Sequence, residues 1–507
     1  MSTLNNQILG LEFMYWIGYD IGSSSIKAAL IGSESGEVKG VAQYPTVEMP
    51  IISHEIGWGE QEPELWWENL CKATHKLLEE TKVAKKDIKG VGISYQMHGL
   101  VLVDKNMKVL RPSIIWCDSR AVSVGEELFK QCGVDKCADS LLNSPGNFTL
   151  SKLKWVKDNE PKVYSEVHKF MLPGDYIALK LSGKCTTTPS GLSEGIMWDF
   201  NANDSADWLF KEAGIDTALI PEILPTFAEQ GKVNSQGASE SGLPEGIPIM
   251  YRAGDQPNNA LALNVLEPGE IAATGGTSGV VYAVSDSTNT VEHTRINSFA
   301  HVNHSKANPR IGKLLCINGT GIQYSWMRNQ ITEEFSYNKM NDLASEAPIG
   351  SDGLIILPFG NGAERMLNNS NKGSRITNLN FNIHQQGHLF RAALEGIAFS
   401  FVYGMEILAN DGVDVKSIKA GNDNLFRAEI FSNTIATLTG SEIKIVETTG
   451  AVGAARAAAY AFGDFKSFDD AVKSDEVQYV YKPLDNKEAY QEAYNNWKKE
   501  LTDYINN

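Results

Sequence analysis

The 507-residue chain predicts an α/β protein of two similar lobes that face each other across a cleft. Two observations carry this prediction. A strand, a turn of glycine and hydroxyl residues and a second strand open both halves, first at 16–31 and again at 271–284. The length also exceeds one ordinary core, since a domain takes roughly 150 residues, and apolar runs alternate with helical patterns throughout.

In order along the chain, strands at 16–20, 26–31 and 38–44, separated by turns at 22–25 and 33–36, form a β-meander. Pro63 opens a helix in which Trp66, Leu70, Ala73 and Leu77 recur at helical spacing as a core-facing stripe. Apolar runs at 88–94 and 100–103 flank the polar break Tyr95-Gln96-Met97-His98-Gly99, and the run at 114–116 opens into Cys117-Asp118-Ser119-Arg120. Polar breaks at strand ends are where sites are built. Helical patterns dominate 151–180, and the turn- and proline-rich segment 201–246 marks a boundary, so the lobes are expected at 14–250 and 251–507. A terminal helix over 487–505 is expected to be exposed and to pack back on the first lobe.

A net charge of −17 argues against nucleic acid, whose phosphate backbone needs clustered Lys and Arg. A bound nucleotide must then be held by local backbone N–H groups and a divalent cation. With no stretch approaching the roughly 20 apolar residues of a membrane span, no membrane partner is expected. Six scattered cysteines without a Cys-x-x-Cys pair are expected as free thiols in a reducing cytoplasm. The opening MSTLNNQILGLEFM has neither a basic region nor a small-residue cleavage site and is expected to be a short extension.

The segment 251–282 concentrates the chemistry. Asp255 lies between Gly254 and the helix-starting Pro257, where a carboxylate can leave the core and face a cleft. The run Thr274-Gly275-Gly276-Thr277-Ser278-Gly279 between two apolar segments predicts a turn whose amides point at a phosphate. The first turn, Asp20-Ile21-Gly22-Ser23-Ser24-Ser25-Ile26-Lys27, is its counterpart, with Asp20 placed to hold Mg2+ through water. A base and two phosphate grips predict phosphoryl transfer. No P-loop and no protein-kinase signature is present, so another fold must do it. His301-x-x-His304 lacks further ligands nearby and is not expected to bind zinc.

Taken together, YDIGSSSIK (19–27), GWGEQEPELWW (57–67), ISYQMHG (93–99), WCDSR (116–120), LPGDYIALKLSG (172–183), AGDQ (253–256) and GGTSG (275–279) resemble the FGGY carbohydrate kinases over residues 16–463. Within that family the chain looks most like the members that act on D-xylulose. Two longer family signatures are legible, one departing at Asn147 and the other at Asn378, where the family has Gly. A larger departure is the segment from Lys419 to Phe426, in which Gly421 alone survives of a glycine run.

The resemblance implies two ribonuclease-H-like lobes of the actin and hexokinase ATPase fold, with sugar and Mg-ATP in the cleft. It implies Asp255 as general base, with Asp20 and Asp255 at the metal. Met97, His98, Gln256 and Trp58 would contact the sugar, together with Asp255. Gly22, Ser23, Ser24, Gly275, Gly276, Thr277, Ser278, Gly421 and Asn422 would contact ATP. D-Xylulose is the expected acceptor, with ribulose, fuculose, glycerol and gluconate as alternatives, and a homodimer is an expected assembly.

Overall fold

The structure is a computed structural model that describes residues 14–332, 335–422 and 424–506. The N-terminal extension, apart from Met14, lies outside the described residues, as does Asp423 of the expected nucleotide turn. Two mixed sheets organise the chain. The first runs, edge to edge, Phe227–Lys232, Pro248–Gly254, Ile88–Tyr95, Tyr15–Ile21, Ile26–Gly32, Val38–Tyr44. Its last three strands are the antiparallel meander, and Tyr15–Ile21 pairs in parallel with Ile88–Tyr95, which pairs in parallel with Pro248–Gly254.

The second sheet repeats the plan in the order Asn297–Ala300, Ile311–Ile317, Gly279–Ser285, Glu270–Gly275, Ser417–Gly421, Ile443–Val446, Val477–Tyr481. Antiparallel strands again lead into a parallel set, here Glu270–Gly275, Ser417–Gly421 and Ile443–Val446. Each lobe therefore presents the carboxyl ends of parallel strands along one edge. In α/β sheets that edge is where ligands bind.

The predicted stripe of the helix Pro63–Thr81 is fully buried: Trp66, Leu70, Ala73 and Leu77 have no exposed surface and pack on the first sheet. At roughly 1.5–3 kcal/mol for each large apolar side chain, this face rather than propensity fixes the helix. The second lobe centres on the helix Gln386–Asn410, which is long and apolar enough to cross a membrane. Within the protein 83% of its most apolar window is buried, and Arg391 and Glu395 pair inside it at 2.7 Å, so it is a core helix.

Two expectations about the lobes need correction. The division at residue 250 cuts the strand Pro248–Gly254, whose apolar register against Ile88–Tyr95 makes it part of the first sheet. Asp255, at the end of that strand, is thus presented by the first lobe. The terminal helix Lys487–Asn506 does not pack on the first lobe. Its face Tyr490, Tyr494, Trp497, Leu501 and Tyr504 is buried on the second-lobe core, with Trp497 Nε1 donating to the carbonyl of Ile356 at 3.0 Å. The element that does return to the first lobe is the helix Gly450–Phe462, an alanine-rich rod lying on Tyr15–Ile21 and Ile88–Tyr95. Gly18 and Gly92 let it approach, because a Cβ on either would overlap the backbone of Ala451 or Ala454.

Candidate active site

Strand register brings the first-lobe candidates together. Asp20 pairs with Ser94 across Tyr15–Ile21 and Ile88–Tyr95, and Gly254 pairs with Tyr95, so Asp20, Gln96 and Asp255 stand at neighbouring carboxyl ends. Asp255 is the first residue of the helix Asp255–Ala262. Burial raises its carboxyl to about 7, the Asp20 charge adds to the rise, and the amides of Gln256 and of Asp255 itself oppose it. Burial likewise raises Asp20, with Lys27 and Ser94 pulling the other way. Gly450 closes the floor, since a Cβ there would lie 2.9 Å from Asp20 Oδ2 and 3.1 Å from Asn259 Oδ1.

Of the sugar candidates, His98 adopts a left-handed φ of 63°, unusual for a residue with a side chain. Two buried residues hold it there. Glu194 Oε2 accepts the His98 N–H at 3.0 Å, and Lys152 Nζ donates to the His98 carbonyl at 2.8 Å and to that of Ile115 at 3.0 Å. His98 Nδ1 lies 2.9 Å from the Glu194 carbonyl, which can only accept, so Nδ1 carries the proton and Nε2 remains an acceptor. Burial, then the Lys152 charge, lowers the ring to about 3, so it is neutral. The ring can therefore accept from a hydroxyl.

Glu194 was invisible in the sequence because it sits in the short helix Pro189–Glu194 with no motif around it. Burial pushes its carboxyl, which lies beneath His98, well above the usual range. Glu194→Ala should raise the sugar KM about tenfold, because a buried backbone N–H left unpaired costs about 1–3 kcal/mol. Glu194→Gln keeps the acceptor and should stay within about threefold of wild type. Steady-state kinetics on both variants checks this.

Met97 is 4% exposed and packs against Gly254, whose added Cβ would meet its Cγ at 2.5 Å, so it shapes the wall beneath Asp255. Gln256, beside Asp255, is half-buried. Trp58 is half-buried: the Arg120 guanidinium lies 3.8 Å over its ring, and Trp155 meets it edge-on at 5.3 Å. Arg120 pairs with Asp118 at 2.7 Å and Glu60 at 2.6 Å, so the 57–67 and 116–120 motifs interlock as a buried ion network with Trp58 on its rim. Trp116 is 54% exposed and donates to Ser23 Oγ at 3.2 Å, linking that rim to the first hairpin.

The hairpins are as different in detail as their sequences. Gly22 N–H donates to Ser25 O at 3.1 Å, and Ser24 O accepts from Met49 N–H at 2.8 Å. In the second turn Thr277 and Ser278 are exposed, and the helix Gly321–Ile331 is tied to it by Gly321 N–H to Gly276 O at 3.0 Å and Ile322 N–H to Thr277 O at 3.1 Å. A cavity of about 490 Å³ opens there, lined by Gly275, Gly276 and Thr277, by Gly321, Ile322, Tyr324 and Ser325, and by Tyr337, Leu425 and Arg427 among others. The tyrosines 324 and 337 stack at 5.8 Å, and Tyr324 donates to Asn341 Oδ1 at 2.8 Å.

Gly421 ends the adjacent strand and Asn422 follows it, but neither lines this cavity. The Asn422 amide donates to Glu447 at 2.8 Å, and its oxygens accept from Arg427 Nε, so it holds the turn together. The residues missed here, Tyr324, Tyr337 and Arg427, had one usable signal: Gly319-Thr320-Gly321 before a helix is a phosphate-binding pattern. Asn378, where a Gly is usual, takes a φ of 61°, which Asn tolerates better than other side chains. His301 bonds the Tyr282 hydroxyl at 2.9 Å and His304 accepts from Arg310 N–H at 3.2 Å, and no metal-binding cluster of three or more residues occurs among the described residues.

Residues 15–262 match the N-terminal domain, and residues 271–462 the C-terminal domain, of the FGGY family of carbohydrate kinases. The chain belongs to that family. This FGGY kinase is therefore an ATP-dependent sugar kinase, with a small sugar and a nucleotide as its substrates. It is 28% identical to a xylulose kinase of Staphylococcus xylosus over 96% of this chain and 99% of that one. It is 26% identical to a xylulose kinase of Bacillus subtilis over 96% and 97%. A crystal structure of xylulose kinase from Rhodospirillum rubrum superposes with a TM-score of 0.86 at 26% identity, covering 97% of this FGGY kinase and all of that chain.

Proposed function

We propose that this FGGY kinase transfers the γ-phosphoryl group of ATP to the terminal hydroxyl of D-xylulose, giving D-xylulose 5-phosphate, in the cytoplasm. The observation that carries the chemistry is Asp255, a half-buried carboxylate following a strand end, beside Asp20 and raised by its charge. Similarity to xylulose kinases over nearly the whole length supports the choice of sugar.

Asp255 accepts the proton of the sugar hydroxyl as its oxygen attacks phosphorus, and the bond to the ADP oxygen breaks. His98 Nε2 accepts from a second hydroxyl and so sets the sugar's orientation, while Gln256 supplies an amide beside the base. The two hairpins hold the phosphates by backbone N–H groups, and the cavity at Tyr324 and Tyr337 takes the nucleoside. Asp20 and Asp255, close enough that the charge of the first raises the second, fit a divalent cation, and one or two carboxylates suffice for Mg2+, which keeps its waters. Asp20 and Asp255 would hold it, and it would neutralise charge on the phosphates. Closure of the lobes would exclude water and suppress hydrolysis.

Sugar-dependent ADP release tests this over a panel of ketoses and polyols. D-Xylulose should give the highest kcat/KM, at least tenfold above ribulose and glycerol, since each mispaired buried hydroxyl costs about 1–3 kcal/mol. A preference for ribulose, glycerol or gluconate would replace the assigned sugar.

A further inference from the structure

We propose that Arg365 is a catalytic residue, its guanidinium binding the phosphoryl group as it passes from nucleotide to sugar. This rests on the kinase reading above and adds a second-lobe residue to it.

Arg365 opens the short turn Arg365–Leu367, and the residues before it are wired to the phosphate hairpin. Glu364 Oε2 accepts the Asn318 N–H at 2.9 Å, Asn318 Nδ2 donates to Ala363 O at 2.6 Å, and Asn361 Nδ2 donates to Asn318 O at 3.1 Å. From Asn318 the chain runs through Thr320, whose hydroxyl donates towards the carbonyls of Gly276 and Thr277 at 3.1 Å each. A hydrogen-bonded path thus leads from the turn that faces ATP to Arg365. On its other side the Arg365 charge depresses the His98 ring and the Cys316 thiol, and Cys316 in turn feels Asp255. Arg365 thus directly follows a residue wired to the nucleotide grip and is near enough to His98 for its charge to act on that ring.

Its pairing is anomalous. Arg120, Arg252, Arg391 and Arg456 are buried and Arg111 is half-buried, and each meets a carboxylate. Arg365 forms no ion pair among the described residues, and its Nε is shielded from water without an acceptor. Arg365 is half-buried, and leaving its shielded Nε without a partner is costly unless a ligand supplies the acceptor. A sugar is neutral and brings no counter-charge. A phosphoryl group, with three equatorial oxygens gaining contact as it crosses, matches the planar fork of a guanidinium. In the step itself the sugar oxygen–phosphorus bond forms, the phosphorus–oxygen bond to ADP breaks with its electron pair leaving on ADP, and Asp255 takes the proton. Arg365 stays protonated throughout and only stabilises charge.

The test uses the full-length enzyme with the sugar that the panel selects. Arg365→Ala should lower kcat at least 100-fold, as loss of one such electrostatic group does elsewhere, with KM for sugar and ATP within about threefold. Added guanidinium should restore kcat at least fivefold, which a merely structural role would not allow. Arg365→Lys keeps the charge and should lose at least tenfold in kcat with KM unchanged. It carries the test if the alanine variant does not fold. A kcat within threefold of wild type in either variant, a loss confined to KM, or a folded alanine variant that guanidinium does not restore would overturn the role of Arg365 alone. Wild-type enzyme that phosphorylates no sugar would instead overturn the proposed function, and this role with it.

Discussion

Asp255→Asn lowers kcat by about 10²–10⁴-fold, the range a positioned general base supplies, while sugar binding persists. Asparagine fills the same space and can still hydrogen-bond the hydroxyl, but it cannot take its proton. The pH profile of the wild type follows from the same residue. Asp255 acts only as a carboxylate, and its value is raised to about 7, so kcat/KM should fall about tenfold per pH unit below that point. Stability moves the opposite way. An Asp whose folded value lies above its unfolded value of 3.8 opposes folding increasingly as pH rises from about 4 to 7. Asp255→Asn should therefore melt at a higher temperature than wild type at pH 8, while transferring almost nothing. Retained transfer would remove Asp255 as the base, and a lower melting temperature would show that the loss came from misfolding.

How much of this could be read from the chain depends on range. The meander and the second hairpin were legible because alternating strands and glycine turns are local signals, and Val38–Tyr44 appears with its predicted bounds. The polar breaks after Ser94 and Trp116 were legible for the same reason. Trp58 shows what motif reading leaves out: the tryptophan of a site-like loop also packs on Arg120, whose partners Asp118 and Glu60 come from two motifs that sequence order keeps apart. Glu194 and Arg365 carry no local signature at all. Their importance comes from His98 and from the hairpin at Gly276, contacts made across about 96 residues in the first case and through a relay of loops in the second. The lobe boundary failed for a related reason, since the strand Pro248–Gly254 and the helix Asp255–Ala262 are contiguous with the second half in sequence but paired with the first in space.

The helix Gly450–Phe462 takes that point furthest, and a single methyl-scale change tests it. Gly92→Val should destabilise the protein by about 3 kcal/mol, the top of the usual overpacking range, and lower kcat as well. A side chain at 92 would meet the carbonyl of Ala454 and the Cβ of Ala458, and backbone cannot rotate away as a side-chain end can. The helix must then lift from the sheet. Its first turn, capped by Thr449 Oγ1 accepting from Val452 N–H at 3.3 Å, carries Gly450 against Asp20, and Gly450 O accepts from Asn258 in the helix that begins with Asp255. Lifting it disturbs both carboxylates at once. Equilibrium denaturation and kinetics on Gly92→Ala and Gly92→Val should show losses that grow together with side-chain size. Full stability in Gly92→Val would mean that the close packing of this C-terminal helix on the first sheet does not hold the cleft.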